Sequence, residues 1–159
     1  TFTVSLPFEI ASAEDVHTLT DDETKADISG MKLLIVEDNE LNLEIAKYLL
    51  EDAGAVTDSA ADGEQAVKKF TQSPEGTYDA ILMDIMMPVM DGYAATKAIR
   101  EYDRPDAKTI PIIAMTANAF AEDVLKCKSA GMNDHLAKPL VLETVMKTLS
   151  KYKAPAKIQ

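Results

Sequence analysis

Residues 78–84 read YDAILMD, and Ala80 to Met83 run without the polar alternation of a strand that shows one face to water. A run apolar on both pleat faces has to be covered on both. The same holds for LLIV (33–36) and PIIAM (111–115), so three central strands of one sheet are expected between two layers of helices.

Working outward, these runs alternate with amphipathic stretches. ELNLEIAKYLLEDAG (40–54), DGEQAVKKFTQ (62–72), DGYAATKAIREY (91–102), AFAEDVLKCKSAG (119–131) and LVLETVMKTLSKY (140–152) read as helices, with AVTDSA (55–60) and DHLAKP (134–139) as the two remaining strand regions. The result is about five βα units in roughly 120 residues, and therefore an α/β fold with a doubly wound parallel sheet.

The 159 residues, 47% of them hydrophobic, suit one domain with a modest extension. With 27 acidic against 16 basic residues the net charge is -11, which repels nucleic-acid backbones and anionic membranes. No nucleic-acid partner is expected. No apolar run approaches the ~18 residues of a membrane span, so no direct membrane insertion is expected and a cytoplasmic location is. The single cysteine, Cys127, has no disulfide partner in the chain and no metal-ligand spacing around it, and reads as an inert thiol.

In open α/β sheets the ligand site lies beyond the carboxyl ends of the strands, at the point where the strand order reverses. Those ends carry Glu37 and Asp38 after the first strand, Asp84 after the third, Thr116 after the fourth and Lys138 after the fifth. If the first and third strands are neighbours, three carboxylates meet in one crevice. Two such charges 4 Å apart repel by about 4 kcal/mol at an effective dielectric near 20. Lys138 supplies one compensating charge. A hard divalent ion supplies more, with Mg2+ favoured because it accepts few carboxylates and keeps waters and a phosphate oxygen. Such a site suits phosphoryl transfer, with Asp84 as the best placed carboxylate nucleophile.

The stretches VEDNELN (36–42), LMDIMMPVMDG (82–92), MTANA (115–119) and HLAKP (135–139) resemble the motifs of the response-regulator receiver family, over about residues 31–152. The resemblance implies a five-stranded parallel sheet in the flavodoxin-like order 2-1-3-4-5 with helices on both faces. It implies that Asp84 is phosphorylated, that Glu37 and Asp38 are the acidic metal-binding pair, and that Met86 binds the metal through its backbone carbonyl. Thr116 and Lys138 would contact the phosphoryl oxygens. The implied partners are a histidine kinase dimerisation domain or a histidine-phosphotransfer domain, as donor or acceptor. In such a domain phosphorylation would draw Thr116 inward and reposition MTANAF (115–120), changing a protein-binding surface. One departure is His135, where the family often carries an aromatic switch residue. His135 has a packed-histidine reading and a switching reading, both open at this stage. Lys138-Pro139 is a candidate cis peptide, with trans also open.

The start TFTVSLPFEI alternates, with Phe2, Val4, Leu6 and Phe8 on one side, and resembles the last strand of a histidine-kinase ATP-binding domain. Residues 1–10 are accordingly read as a strand remnant, mobile or adhering to a neighbouring sheet edge, against the alternative of a vector remnant or extension. Residues 11–30 read as an acidic linker containing a solvated His17, 31–152 as the receiver and 153–159 as a tail. The parent is expected to be a hybrid sensor histidine kinase, the alternative being a stand-alone response regulator.

Three rival functions compete. An aspartyl phosphatase of the haloacid dehalogenase type needs a second Asp where Met86 stands. A flavin protein needs hydroxyl and glycine amides where EDNELN (37–42) is acidic. A degenerate receiver acting only as an interaction module would not need the five-residue set.

Overall fold

The structure is a computed structural model that describes residues 26–117 and 121–153. Residues 1–10, His17 and the tail beyond Lys153 lie outside the described residues. Five strands form one sheet: β1 (Lys32–Val36), β2 (Val56–Ala60), β3 (Ala80–Asp84), β4 (Ile112–Thr116) and β5 (Asp134–Ala137). All neighbouring pairs are parallel, in the order β2-β1-β3-β4-β5. The doubly wound sheet read from the sequence is the observed one.

The helices α1 (Glu40–Asp52), α2 (Gly63–Gln72), α3 (Gly92–Glu101) and α5 (Ala121–Ala130) connect the strands, with a short α4 (Pro105–Thr109) before β4 and α6 (Leu142–Ser150) after β5. α1, α2 and α3 each begin on a side-chain cap. Asn39, Asp62 and Asp91 accept hydrogen bonds from the backbone amides of Asn42, Gln65 and Ala94. Each such cap is worth about 1 kcal/mol and fixes where the loop off the strand turns into a helix.

The pleat sends alternate residues to opposite cores. Leu34, Val36, Ile81 and Met83 pack with Phe70, Ala95 and Ile99 on one face, while Leu33, Ile35 and Leu82 pack with Leu50, Val145 and Leu149 on the other. β3 and β4 are buried along their whole length. β2, at the edge, is not, and its mixed VTDSA sequence reflects that.

The stretch read as a linker ends earlier than residue 30. Ile28 is fully buried and joins the core under α1 and α6, because it caps the apolar floor where β1 begins. Beside it the Lys153 ammonium donates to Asp27 Oδ2 at 3.0 Å and to the Ser29 carbonyl at 3.1 Å. Among the described residues no helix is long and apolar enough to cross a membrane.

Candidate functional site

Parallel strands direct all their carboxyl ends to one edge, so the residues following β1, β3, β4 and β5 converge there. Glu37 follows Val36 directly, and its backbone amide donates to the Ala60 carbonyl at 3.1 Å. Its side chain is buried and held at both oxygens: Oε1 accepts the Asn39 amide at 3.2 Å and Oε2 lies 2.8 Å from Lys138 Nζ. The adjacent Asp38 is exposed. The two acids read as a pair therefore differ, one locked into the fold and one facing solvent.

Asp84 ends β3 and is only 4% exposed. Its Oδ1 accepts a hydrogen bond from Lys138 Nζ at 3.0 Å. Glu37, Asp38 and Asp84 each offer a carboxylate oxygen within 4.8 Å of the others. Burial raises the Asp84 pKa to about 6, the Lys138 hydrogen bond works against that rise, and the Glu37 charge adds to it. Burial also works against the Lys138 charge, but its bonds to Glu37 and Asp84 prevail and raise its pKa. One ammonium thus leaves the cluster short of positive charge.

Lys138 is aimed by the turn after β5. Its backbone amide donates to the Thr116 carbonyl at 2.8 Å, and the Lys138-Pro139 peptide is cis. Thr116, at the end of β4, is buried one residue past Met115, which pairs with Asp84 across the sheet. The loop after Asp84 carries Met86, 79% exposed, and turns back through Val89, which has a positive φ of 68°. A cavity of about 300 Å³ opens beside the cluster, lined by Glu37, Ile45, Met115, Lys138, Pro139 and Leu140 among others.

The fold therefore gathers Glu37, Asp38, Asp84 and Lys138, with Thr116 at the adjoining strand end. His135 stands apart, half-buried beside a separate hollow with Cys127, Met132 and Asp134. Sequence reading gave no notice of Asn39, which both caps α1 and orients Glu37; an Asx residue just before an amphipathic run is the signal for it.

The donor set fits Mg2+. It is all carboxylate oxygen, with no imidazole or thiolate to favour a softer metal, and its exposed member Asp38 leaves room for water and a phosphate oxygen.

A doubly wound flavodoxin-like protein with a buried aspartate, two further carboxylates and a lysine at its strand ends falls in the class of phosphoacceptor α/β domains. The chain belongs to the response regulator receiver domain family, whose profile matches residues 33–150. It is similar to hybrid signal transduction histidine kinase L of Dictyostelium discoideum, 41% identical over 122 residues that make up 76% of this chain and 7% of that relative. The chain thus spans less than a tenth of the length of that relative. Among solved structures it resembles the receiver domain of a Pseudomonas aeruginosa sensor histidine kinase holding magnesium in its active-site cleft. That likeness has a TM-score of 0.70 and 41% identity, and covers 78% of this chain and 98% of that one. A second likeness is the receiver domain of a Saccharomyces cerevisiae response regulator, co-crystallised with a histidine phosphotransfer protein. Its TM-score is 0.70 and its identity 30%, covering 79% and 90% of the two chains.

Proposed function

We propose that this receiver domain takes a phosphoryl group from a phosphohistidine onto Asp84. The observation that carries the reading is the buried Asp84 carboxylate, bonded to Lys138 and within 4.8 Å of two more acids. In the transfer the N–P bond to the donor imidazole breaks and a bond from an Asp84 oxygen to phosphorus forms, leaving an acyl phosphate. Lys138, already 3.0 Å from Asp84, then pairs with phosphoryl oxygens, and the Thr116 hydroxyl donates to them.

Glu37, Asp38, Asp84 and the backbone carbonyl of Met86 would hold Mg2+, which when bound neutralises charge on the transferred group. The phosphate adds about -1.5 to -2 charges beside Thr116, drawing it inward and altering the surface around α5, β5 and α6, with His135 in the switch position.

The donor or acceptor is a histidine-phosphotransfer domain or a kinase dimerisation domain on the cytoplasmic side. An exposed apolar stripe on α1, Leu41, Ile45 and Tyr48, supports docking of such a helical partner beside the cavity. The parent is a hybrid sensor histidine kinase.

The test is intact mass after a small-molecule phosphodonor with Mg2+, for the wild type and Asp84→Asn. Gain of one phosphoryl group in the wild type alone is the expected result. No gain, or equal gain in the variant, would leave an interaction module.

A further inference from the structure

A second groove lies away from the phosphoryl site, between α3 and α5. It has a volume of about 360 Å³ and is lined by Tyr93, Lys97, Leu125, Lys126, Ser129 and Ala130. Leu125, among them, is 65% exposed. In a chain with 27 acids and 16 bases, the charged residues lining this groove are both lysines. Among the described residues neither Lys97 nor Lys126 has an ion-pair partner. Asp91 and Asp123 both act on Tyr93, and Glu101 and Glu122 share the helices of Lys97 and Lys126 without pairing with them. An exposed leucine lining the same groove as two lysines without ion-pair partners suits an acidic segment with an apolar anchor.

The sequence holds one such segment. Residues 14–23, EDVHTLTDDE, carry five carboxylates around Val16 and Leu19. These two apolar residues are three apart, a spacing that puts both on one face of a helical turn. We propose that this acidic segment docks into the groove between α3 and α5, with Val16 and Leu19 against Leu125 and the carboxylates against Lys97 and Lys126.

The chain's path allows it. The Val56 amide donates to the Met31 carbonyl and the Asn133 amide to the Ile112 carbonyl, which puts Ile28 and the end of α5 at the same edge of the sheet, where its strands begin. Two strand spacings and the depth of the packed layers separate them by on the order of 20 Å. Extended backbone from Leu19 to Lys25 reaches about 20 Å. Because the segment is tethered, its effective concentration at the groove offsets the repulsion that the net charge of -11 would exert on a free acidic peptide. α5 follows Thr116 in the chain after a short loop, so a docked segment would bind the helix nearest the switch.

The experiment uses the full chain, with a nitroxide on Thr18→Cys and leucine methyl spectra recorded at low salt. Cys127, 3% exposed, stays unlabelled in the folded protein. Selective broadening of the Leu125 methyl signals is expected, lost in E14Q/D15N/D21N/D22N/E23Q and lost in K97E/K126E while the core methyl signals stay in place. Combining K97E/K126E with lysines at the five acidic positions should bring the broadening back. An unbroadened Leu125, broadening that survives charge neutralisation, or broadening centred on Leu41 of α1 would each overturn the docking.

Discussion

The backbone carbonyl oxygen of Asp84 occupies the place that a side chain on Gly92 would need: a Cβ there would stand 2.3 Å from it. The Gly92 amide meanwhile donates to the Ile85 carbonyl at 3.0 Å, closing the loop that carries Met86. Gly92→Ala has to push back the backbone of the acceptor residue itself. We expect a loss of about 1 to 3 kcal/mol in urea unfolding and slower phosphoryl uptake, read by intact mass. Wild-type uptake would show that the loop yields without moving Asp84.

The Asp84 pKa sets a pH dependence whose sign is opposite to that of most carboxylates. Its folded value, about 6, lies above its ordinary value of 3.8, so the folded state holds the extra proton. In the metal-free protein the contribution of this group to stability therefore falls by about 2 to 3 kcal/mol as pH rises from about 4 through 6. Other acids, such as Asp58 and Asp106 with lowered values, tilt the total the other way. The measurement is thus a difference. Asp84→Asn should be more stable than wild type at pH 7 and gain nothing at pH 4, by urea unfolding with chelator present.

Mg2+ should offset part of that penalty. At tenfold excess over Kd, binding to the folded state adds about 1.4 kcal/mol. Its affinity should rise with pH through about 6 as Asp84 gives up its proton. Asp38→Ala, exposed and outside the core, should leave unfolding without Mg2+ unchanged and remove most of the shift with it. A thermal melt with and without Mg2+ reads both effects.

Arg104 should matter to the fold and not to the chemistry. Its guanidinium donates to the Ser73 and Phe70 carbonyls at 2.6 and 3.2 Å, pairs with Asp106 and lies 4.6 Å over the Phe70 ring. It joins the end of α2 to the start of α4. Arg104→Ala should cost about 2 to 3 kcal/mol in urea unfolding, with phosphoryl uptake per folded molecule unchanged.

What the sequence disclosed and what it withheld divide along physical lines. LLIV, AILM and PIIAM were legible because strands buried on both faces lose polar alternation, a property of the residues themselves. Glu37, Asp84 and Lys138 were legible because strand ends in a parallel sheet share one edge. Ile28 was not, since a lone apolar residue in an acidic stretch gains its burial from α1 and α6, far away in sequence. Nor was the difference between Glu37 and Asp38, which depends on Lys138 arriving from β5. The helix α4 escaped as well, though Pro105 at its first turn followed by Asp106 was a local sign of it. Arg104 looked like any surface arginine because the carbonyls it holds, of Ser73 and Phe70, lie 31 and 34 residues back along the chain.

The clasp between Lys153 and Asp27 brings the incoming and outgoing backbone together at the pole opposite Asp84. A unit whose first and last described residues are held together, with its acidic cluster at the other end, behaves as a cassette. It can be spliced into a surface loop or hung from another domain with its acidic end left open to solvent.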